Sequence, residues 1–180
     1  MNALYGPYLR GVRMEMLRVI ERVSKAANKA ANLLGNLILF FMLVILLAGV
    51  IFRYVLHSPL PWTDETAMIL VVWMVFFGAS IGVKERTHVG TEAFLSFFPF
   101  FVTKIIFLVI DLLIAFFAAY LMVFGWRISI VGEGQHTIFF GIPYFYLYLS
   151  ISVGGFLLLI QAITVIIEDL QRFKTSKNPD

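Results

Sequence analysis

The chain has 180 residues, of which 61% are hydrophobic, 16% are aromatic and only 14% are charged. This composition excludes an ordinary soluble domain and is typical of an integral membrane protein. The formal net charge is only +3, and the absence of cysteine excludes disulfide and thiolate chemistry.

Four apolar segments are each long enough to cross a hydrocarbon core of about 30 Å at roughly 1.5 Å per helical residue. The predicted spans are 33–52, 66–83, 102–126 and 144–167. Residues 1–32 then form an N-terminal arm, and residues 168–180 form a C-terminal tail. The sequence therefore predicts an all-α integral membrane protein with four transmembrane helices.

The positive residues are distributed unevenly between the two sides of these spans. Of the 14 Lys and Arg residues, 12 lie in the arm, near the connection between spans two and three, or after span four. The other two, Arg53 and Arg127, lie at the opposite side. Under the positive-inside rule, this imbalance predicts that both the arm and the tail are cytoplasmic.

The arm has a helical period from Arg13 to Asn32, with apolar residues on one face and basic residues on another. This pattern predicts a basic amphipathic helix whose Arg18, Arg22 and Lys25 contact the anionic inner leaflet. The alternative is an ordinary positive-inside flank, which is helical because the following span is helical.

The segment 53–65, RYVLHSPLPWTDE, joins the first two spans. Pro59 and Pro61 exclude regular helix through its middle. Thr63 offers a capping hydroxyl near the expected start of the second helix, and the two carboxylates that follow suit a helix N-terminus. The segment is therefore predicted to be a rigid corner at the water boundary.

This corner is also a candidate surface for a partner protein. The residues expected to contact the partner there are Arg53, Trp62, Asp64 and Glu65. Trp62 is an amphipathic ring suited to headgroup depth. The alternative is that the two carboxylates only cap the second span.

The second span carries Trp73 and a GxxxG pattern formed by Gly78 and Gly82. Small residues four positions apart let two helix backbones approach closely. That contact is expected either within the chain or against a partner, and all three residues are candidate partner contacts.

A charged rim follows the second span and contains Lys84, Arg86 and His88, with Lys104 near the start of span three. These four residues are expected at the level of the lipid headgroups. The segment 89–101 between them is too short to cross the membrane, and its composition predicts a short interfacial helix.

Asp111 is the one acidic residue inside the apolar cores of the predicted spans. A carboxylate within the membrane is costly and is therefore a candidate functional residue. We interpret Asp111 as a packing or partner contact, because an ion path needs more than one such group.

Several classes of function are not supported by any motif. The sequence has no Gly-rich phosphate loop, no nucleophile with a neighbouring base and no spaced His, Cys or acidic cluster. It predicts neither an enzyme nor a cofactor, and nothing in it indicates a nucleic-acid partner. The spans also lack the interrupted helices and repeated halves of a complete carrier. These features favour an accessory membrane subunit.

Several motifs resemble those of a known family in their order along the chain and in their residues. The motifs are Arg53-Tyr54-Val55, Pro61-Trp62-Thr63-Asp64-Glu65, Trp73, Phe77-Gly78-Ala79, His88-Val89 with Glu92, Ile142-Pro143, Tyr148 and Ser152-Val153-Gly154. From about Met16 to Ile167 the chain resembles the small, DctQ-type membrane subunit of tripartite ATP-independent periplasmic (TRAP) transporters.

This resemblance implies a bacterial inner-membrane protein with two protein partners. One is a large multi-span membrane subunit that holds the Na⁺ and substrate sites, and the other is a periplasmic substrate-binding protein that delivers an organic acid. The small subunit is expected to brace the scaffold of the large one, within membrane lipid, rather than to bind substrate.

Two other classes of function stay open at this stage. A redox-enzyme anchor would bind haem through His57, His88 and His136, but the predicted topology puts His88 on the opposite side of the membrane from the other two. A free-standing four-helix channel would need a polar stripe along a pore, and the spans offer little beyond Asp111 and Gln161.

Overall fold

Four long helices, given by a computed structural model, account for most of the chain. The structure describes residues 2–85 and 100–175. Its helices are α1 (Asn2–Tyr54), α2 (Pro61–Lys84), α3 (Phe100–Gly132) and α4 (Phe145–Thr175). Each contains an apolar stretch long enough to cross a membrane, and the described residues form no strand. The predicted four-helix membrane fold is confirmed, and the orientation of the termini remains a prediction.

The helices extend beyond the predicted spans. The arm and the first span form one continuous helix of 53 residues, which is about 80 Å long at 1.5 Å per residue. Helix α3 continues to Gly132, because the residues that follow Trp126 are largely apolar and contain no proline. The predicted interfacial helix at 89–101 lies almost wholly outside the described residues.

Helix α4 is the centre of the bundle. It contacts each of the other three helices, and half of its apolar stretch is buried, whereas none of the corresponding stretch of α1 is buried. The buried face of α4 is formed mainly by small and polar residues, namely Ser150, Ser152, Gly154, Gly155, Ala162 and Thr164. Helices α1, α2 and α3 therefore keep large apolar surfaces uncovered within this chain.

Main-chain contact fixes α3 against α4. A Cβ placed on Gly125 would lie 2.8 Å from the backbone nitrogen of Ser152. The hydroxyl of Ser152 in turn donates a hydrogen bond of 2.8 Å to the backbone oxygen of Met122. Small residues allow this close approach of two membrane helices.

Helices α1 and α2 pack side by side. Gly49 of α1 lies against Thr63 of α2, where an added Cβ would be 3.1 Å from the threonine hydroxyl oxygen. Nearer the other end, Gly35 faces the buried Phe77. Because the residue number falls along α1 as it rises along α2, the two helices are antiparallel.

Candidate partner surface at the corner end

The α1–α2 corner and the α3–α4 loop lie at the same end of the bundle, which we call the corner end. The corner comprises residues 53–65, and the loop comprises residues 133–144. Glu65 connects the two by hydrogen bonds to the loop backbone. The opposite end, which we call the basic end, contains Lys84 and Glu168.

The corner turns sharply through an unusual backbone conformation. Its His57 has a φ of 53°, in the left-handed region. The N–H of Ser58 donates a 3.0 Å hydrogen bond to the backbone oxygen of Phe52, at the end of α1. The corner backbone is thus tied to the helix that precedes it.

The expected capping by Thr63 is wrong. Helix α2 begins at Pro61, and Leu60 precedes it in an extended conformation with no side-chain cap. Pro61 suits the first helical position, where its missing N–H costs nothing. Thr63 therefore lies inside the first turn, and its hydroxyl donates to the backbone oxygen of Leu60 at 2.6 Å.

Arg53 and Asp64 form an ion pair across the corner. The Nη2 atom of Arg53 lies 2.7 Å from Oδ2 of Asp64, and the side chains are 46% and 68% exposed. Both residues line a small open cavity between α1 and α2, which also contacts Gly49 and Thr63. The pair leaves much of both charged groups accessible to a partner.

Glu65 binds the loop rather than capping α2. Its two carboxylate oxygens accept hydrogen bonds from the backbone N–H groups of Phe139, at 2.8 Å, and Phe140, at 3.2 Å. Charge-assisted bonds of this kind are stronger than neutral ones. One side chain in α2 therefore fixes a loop more than 70 residues away in sequence.

The loop is compact around the buried Thr137. The Thr137 hydroxyl accepts a 2.9 Å hydrogen bond from the N–H of Ile142, and its backbone oxygen accepts one of 3.1 Å from Gly141. Gly141 has a φ of +63°, which glycine adopts without the strain that a side chain would cause. The turn exposes Ile138, Phe139 and Phe140.

The other candidate contacts on α2 differ in their surroundings. Trp62 is half-buried, and Trp73 packs against Phe77 with ring centroids 5.7 Å apart. Gly78 is exposed, and a Cβ there would meet nothing within 4 Å. Gly78 therefore makes no close helix contact within the described chain, while Gly82 is half-buried and interacts with other residues.

Asp111 is buried, at 9% exposure, and takes part in an interaction within the chain. It lies two turns before the fully buried Ala118, on the face of α3 that packs on α4. The described position is compatible with the packing interpretation.

The predicted lipid contacts divide into three groups. Arg18, Arg22 and Lys25 are exposed on α1, and Lys25 forms an ion pair of 2.6 Å with Glu21. Lys84 is only 14% exposed and pairs with Glu168 of α4 at 2.8 Å, so its ammonium group is engaged within the bundle. Arg86 and His88 lie outside the described residues, as does the side chain of Lys104.

The sequence interpretation missed three contacts that organise the bundle. They are the hydrogen bonds between Ser24 and Gln161, the ion pair of Lys84 with Glu168, and the close approach of Gly155 to Met122. The glycine pair Gly154-Gly155 was the available signal for the last of these. Among the described residues, no three His, Asp or Glu side chains form a group that could bind a metal.

Comparison with known proteins gives consistent matches. Residues 42–172 match the family described as tripartite ATP-independent periplasmic transporters, DctQ component. The chain is 32% identical over 86 residues to the C4-dicarboxylate TRAP transporter small permease protein DctQ of Vibrio cholerae, covering 48% of this chain and 37% of that protein.

Two proteins of Haemophilus influenzae are also similar. The sialic acid TRAP transporter permease protein SiaT is 36% identical over 55 residues, which are 31% of this chain and 9% of SiaT. A putative TRAP transporter small permease protein is 26% identical over 134 residues, which are 74% of this chain and 83% of that protein. The chain thus spans less than two thirds of the Vibrio protein and of SiaT.

Proposed function

This chain belongs to the DctQ component family of tripartite ATP-independent periplasmic transporters, and from that membership we propose that it is the small membrane subunit of a transporter that imports an organic acid. The family is a transporter component and not an enzyme. The match to residues 42–172, which begins in the last turns of α1 and reaches into the last turns of α4, carries this proposal. The protein is a multi-pass component of the bacterial inner membrane.

The substrate class follows from the names of the relatives. One is described as a transporter of C4-dicarboxylates and another as a transporter of sialic acid. Both substrates are organic acids that carry a carboxylate at neutral pH. We therefore assign a carboxylate as the substrate of the complete transporter.

A large membrane subunit is the first proposed partner. The match covers only 9% of SiaT, so most of that permease has no counterpart in this chain. We infer that a separate multi-span subunit supplies this missing part, including the Na⁺ and substrate sites. A periplasmic binding protein that delivers the substrate completes the proposed complex.

The role of this chain within the complex is to brace the large subunit. Helix α4 holds the bundle together through its buried small and polar face, while α1, α2 and α3 leave broad apolar sides uncovered. Such sides are suited to lipid and to the helices of a larger partner.

Reconstitution tests this function directly. The large subunit, with and without this chain, is placed in proteoliposomes with the binding protein and a radiolabelled C4-dicarboxylate or sialic acid. We expect uptake only with both membrane subunits and an inward Na⁺ gradient. Uptake by this chain alone would contradict the accessory role, and uptake independent of Na⁺ would contradict the proposed coupling.

A further inference from the structure

The α3–α4 loop at the corner end has a polar half and an apolar half. Residues 133–136, Glu-Gly-Gln-His, form the polar half and are all exposed. The apolar half carries the three residues that we call the loop tip, Ile138, Phe139 and Phe140, which are 100%, 51% and 48% exposed. The buried Thr137 separates the two halves.

Hydrogen bonds and a ring contact hold the loop tip. Glu65 accepts hydrogen bonds from the backbone N–H groups of both phenylalanines. Their rings form an edge-to-face pair with centroids 5.1 Å apart. Gly141 then closes the turn by donating to the backbone oxygen of Thr137. The exposed apolar side chains therefore belong to a hydrogen-bonded turn.

The depth of the loop tip follows from its attachment to α2. Glu65 is four residues after Pro61, the first residue of the helix, and lies about 6 Å along the helix axis from it at 1.5 Å per residue. Helical side chains lean toward the N-terminus, so the carboxylate lies at the level of the first two turns. Trp62 and the Arg53–Asp64 pair lie at this same level. Amphipathic rings and exposed charges are the side chains expected at the polar boundary of a membrane.

We propose that the loop tip inserts into the lipid leaflet at the corner end, between the headgroups and the acyl chains, with Glu65 setting its depth. The division of the loop matches this position, because its polar half follows α3 directly, whereas the two phenylalanines of its apolar half are hydrogen-bonded to Glu65 at the start of α2. No charged residue occurs from Thr137 to Tyr148. This inference needs only the membrane-spanning helices and does not depend on the proposed transport function.

Spin labelling tests the insertion, because the chain contains no cysteine and each variant therefore carries a single thiol. Ile138→Cys is labelled with a nitroxide in nanodiscs of phosphatidylethanolamine and phosphatidylglycerol. Gly134→Cys in the polar half is the matched control, and Phe116→Cys on the exposed side of α3 is the lipid reference. Relaxation by oxygen, which partitions into lipid, is compared with relaxation by a water-soluble nickel chelate.

We expect oxygen to relax the label at position 138 more than the nickel chelate does, as at position 116. At position 134 the nickel chelate should relax the label more than oxygen does. Glu65→Ala should shift position 138 toward the chelate, and Asp64→Ala should leave it unchanged. A chelate preference at position 138 in the otherwise wild-type chain would overturn the proposal. So would a label inaccessible to both reagents, because a protein surface would then cover the tip.

Discussion

Gly155 of α4 lies so close to Met122 of α3 that an added Cβ would be 2.6 Å from the methionine backbone nitrogen. The adjacent Gly154 faces the other way, against the side chain of Phe76 in α2. Two neighbouring glycines thus let α4 pack tightly against two helices. Because the Met122 neighbour is a backbone atom, it cannot move aside without displacing a helix.

Gly155→Ala should therefore destabilise the bundle. Overpacking a tight contact typically costs about 1–3 kcal/mol, so we expect a loss of that size in the free energy of unfolding. Unfolding in mixed micelles with increasing SDS, followed by circular dichroism, measures it. Wild-type stability in this variant would show that α3 and α4 are less tightly packed than the structure indicates.

Gly78→Ala is the matched control for this substitution. A Cβ at Gly78 meets nothing within 4 Å, and alanine is favoured over glycine in helices by up to about 1 kcal/mol. The isolated chain should keep or slightly raise its stability. Loss of co-purification with the large subunit in this variant would support the predicted role of Gly78 as a partner contact.

The glycines also show what sequence could and could not predict. The four spans follow from apolar length alone, which needs no knowledge of packing. The pattern at Gly78 and Gly82 identified small residues in one helix, but it could not tell which side of that helix another helix covers. The close contact that the structure forms is between Gly155 of α4 and Met122 of α3. It depends on how these two helices are aligned along their axes, which no pattern within one helix reports.

The corner was predicted in outline, and its contacts were not. Proline placement predicted a turn, which the structure has between Tyr54 and Pro61. The capping prediction failed because Pro61 starts the helix before Thr63. The hydrogen bonds of Glu65 to Phe139 and Phe140 join segments distant in sequence, so no local pattern reports them.

The contact between Ser24 and Gln161 should couple α1 to α4. The serine hydroxyl donates to the glutamine Oε1 at 2.6 Å, and the glutamine Nε2 donates to the serine backbone oxygen at 3.1 Å. A double-mutant cycle with Ser24→Ala and Gln161→Leu should give a coupling energy of about 0.6–1.7 kcal/mol, as for hydrogen bonds between membrane helices. SDS unfolding of the wild type, the two single variants and the double variant measures it. Strictly additive changes in the free energy of unfolding would contradict the coupling.

The predicted orientation can be tested with single cysteines. Ser58→Cys and Gly134→Cys at the corner end should react with an impermeant thiol reagent on intact spheroplasts. Lys29→Cys and Glu85→Cys, at exposed positions toward the basic end, should react only after the membrane is opened. The reverse pattern would place both termini in the periplasm, against the distribution of positive residues.

Asp111→Asn should alter packing without altering ion coupling. The substitution keeps the size and most of the hydrogen-bonding capacity of this buried side chain while removing its charge. We expect a modest fall in the uptake rate of the assembled transporter with unchanged Na⁺ dependence. Uptake at varied Na⁺ measures this. A changed Na⁺ stoichiometry, or a new dependence on protons, would identify Asp111 as an ion site instead.

The ion pair of Arg53 with Asp64 raises the question of what its charges contact. Exposed pairs contribute only about 0.2–1 kcal/mol to stability, and both side chains here are substantially exposed. The pair can therefore serve the corner alone, or it can present one positive and one negative group to a partner. A single replacement of Arg53 or Asp64 removes the pair within the corner and also removes a charge that a partner could contact. It therefore does not separate the two roles.

Exchanging the two charges separates these roles. The variant Arg53→Asp with Asp64→Arg restores an opposite-charge pair within the chain but reverses the pattern that a partner meets. If the pair serves only the corner, the exchange variant should assemble with the large subunit and support uptake like the wild type. It should lose only a little stability, because each exchanged charge lies at the unfavourable end of its helix dipole. We expect instead that it inserts and folds but loses co-purification or uptake, because a partner's complementary charges now face like charges. The defect should shrink at high salt, which screens exposed charges. The single variant Arg53→Asp is the comparison, since it lacks the pair altogether. Wild-type assembly and uptake in the exchange variant would exclude Arg53 and Asp64 from the partner surface.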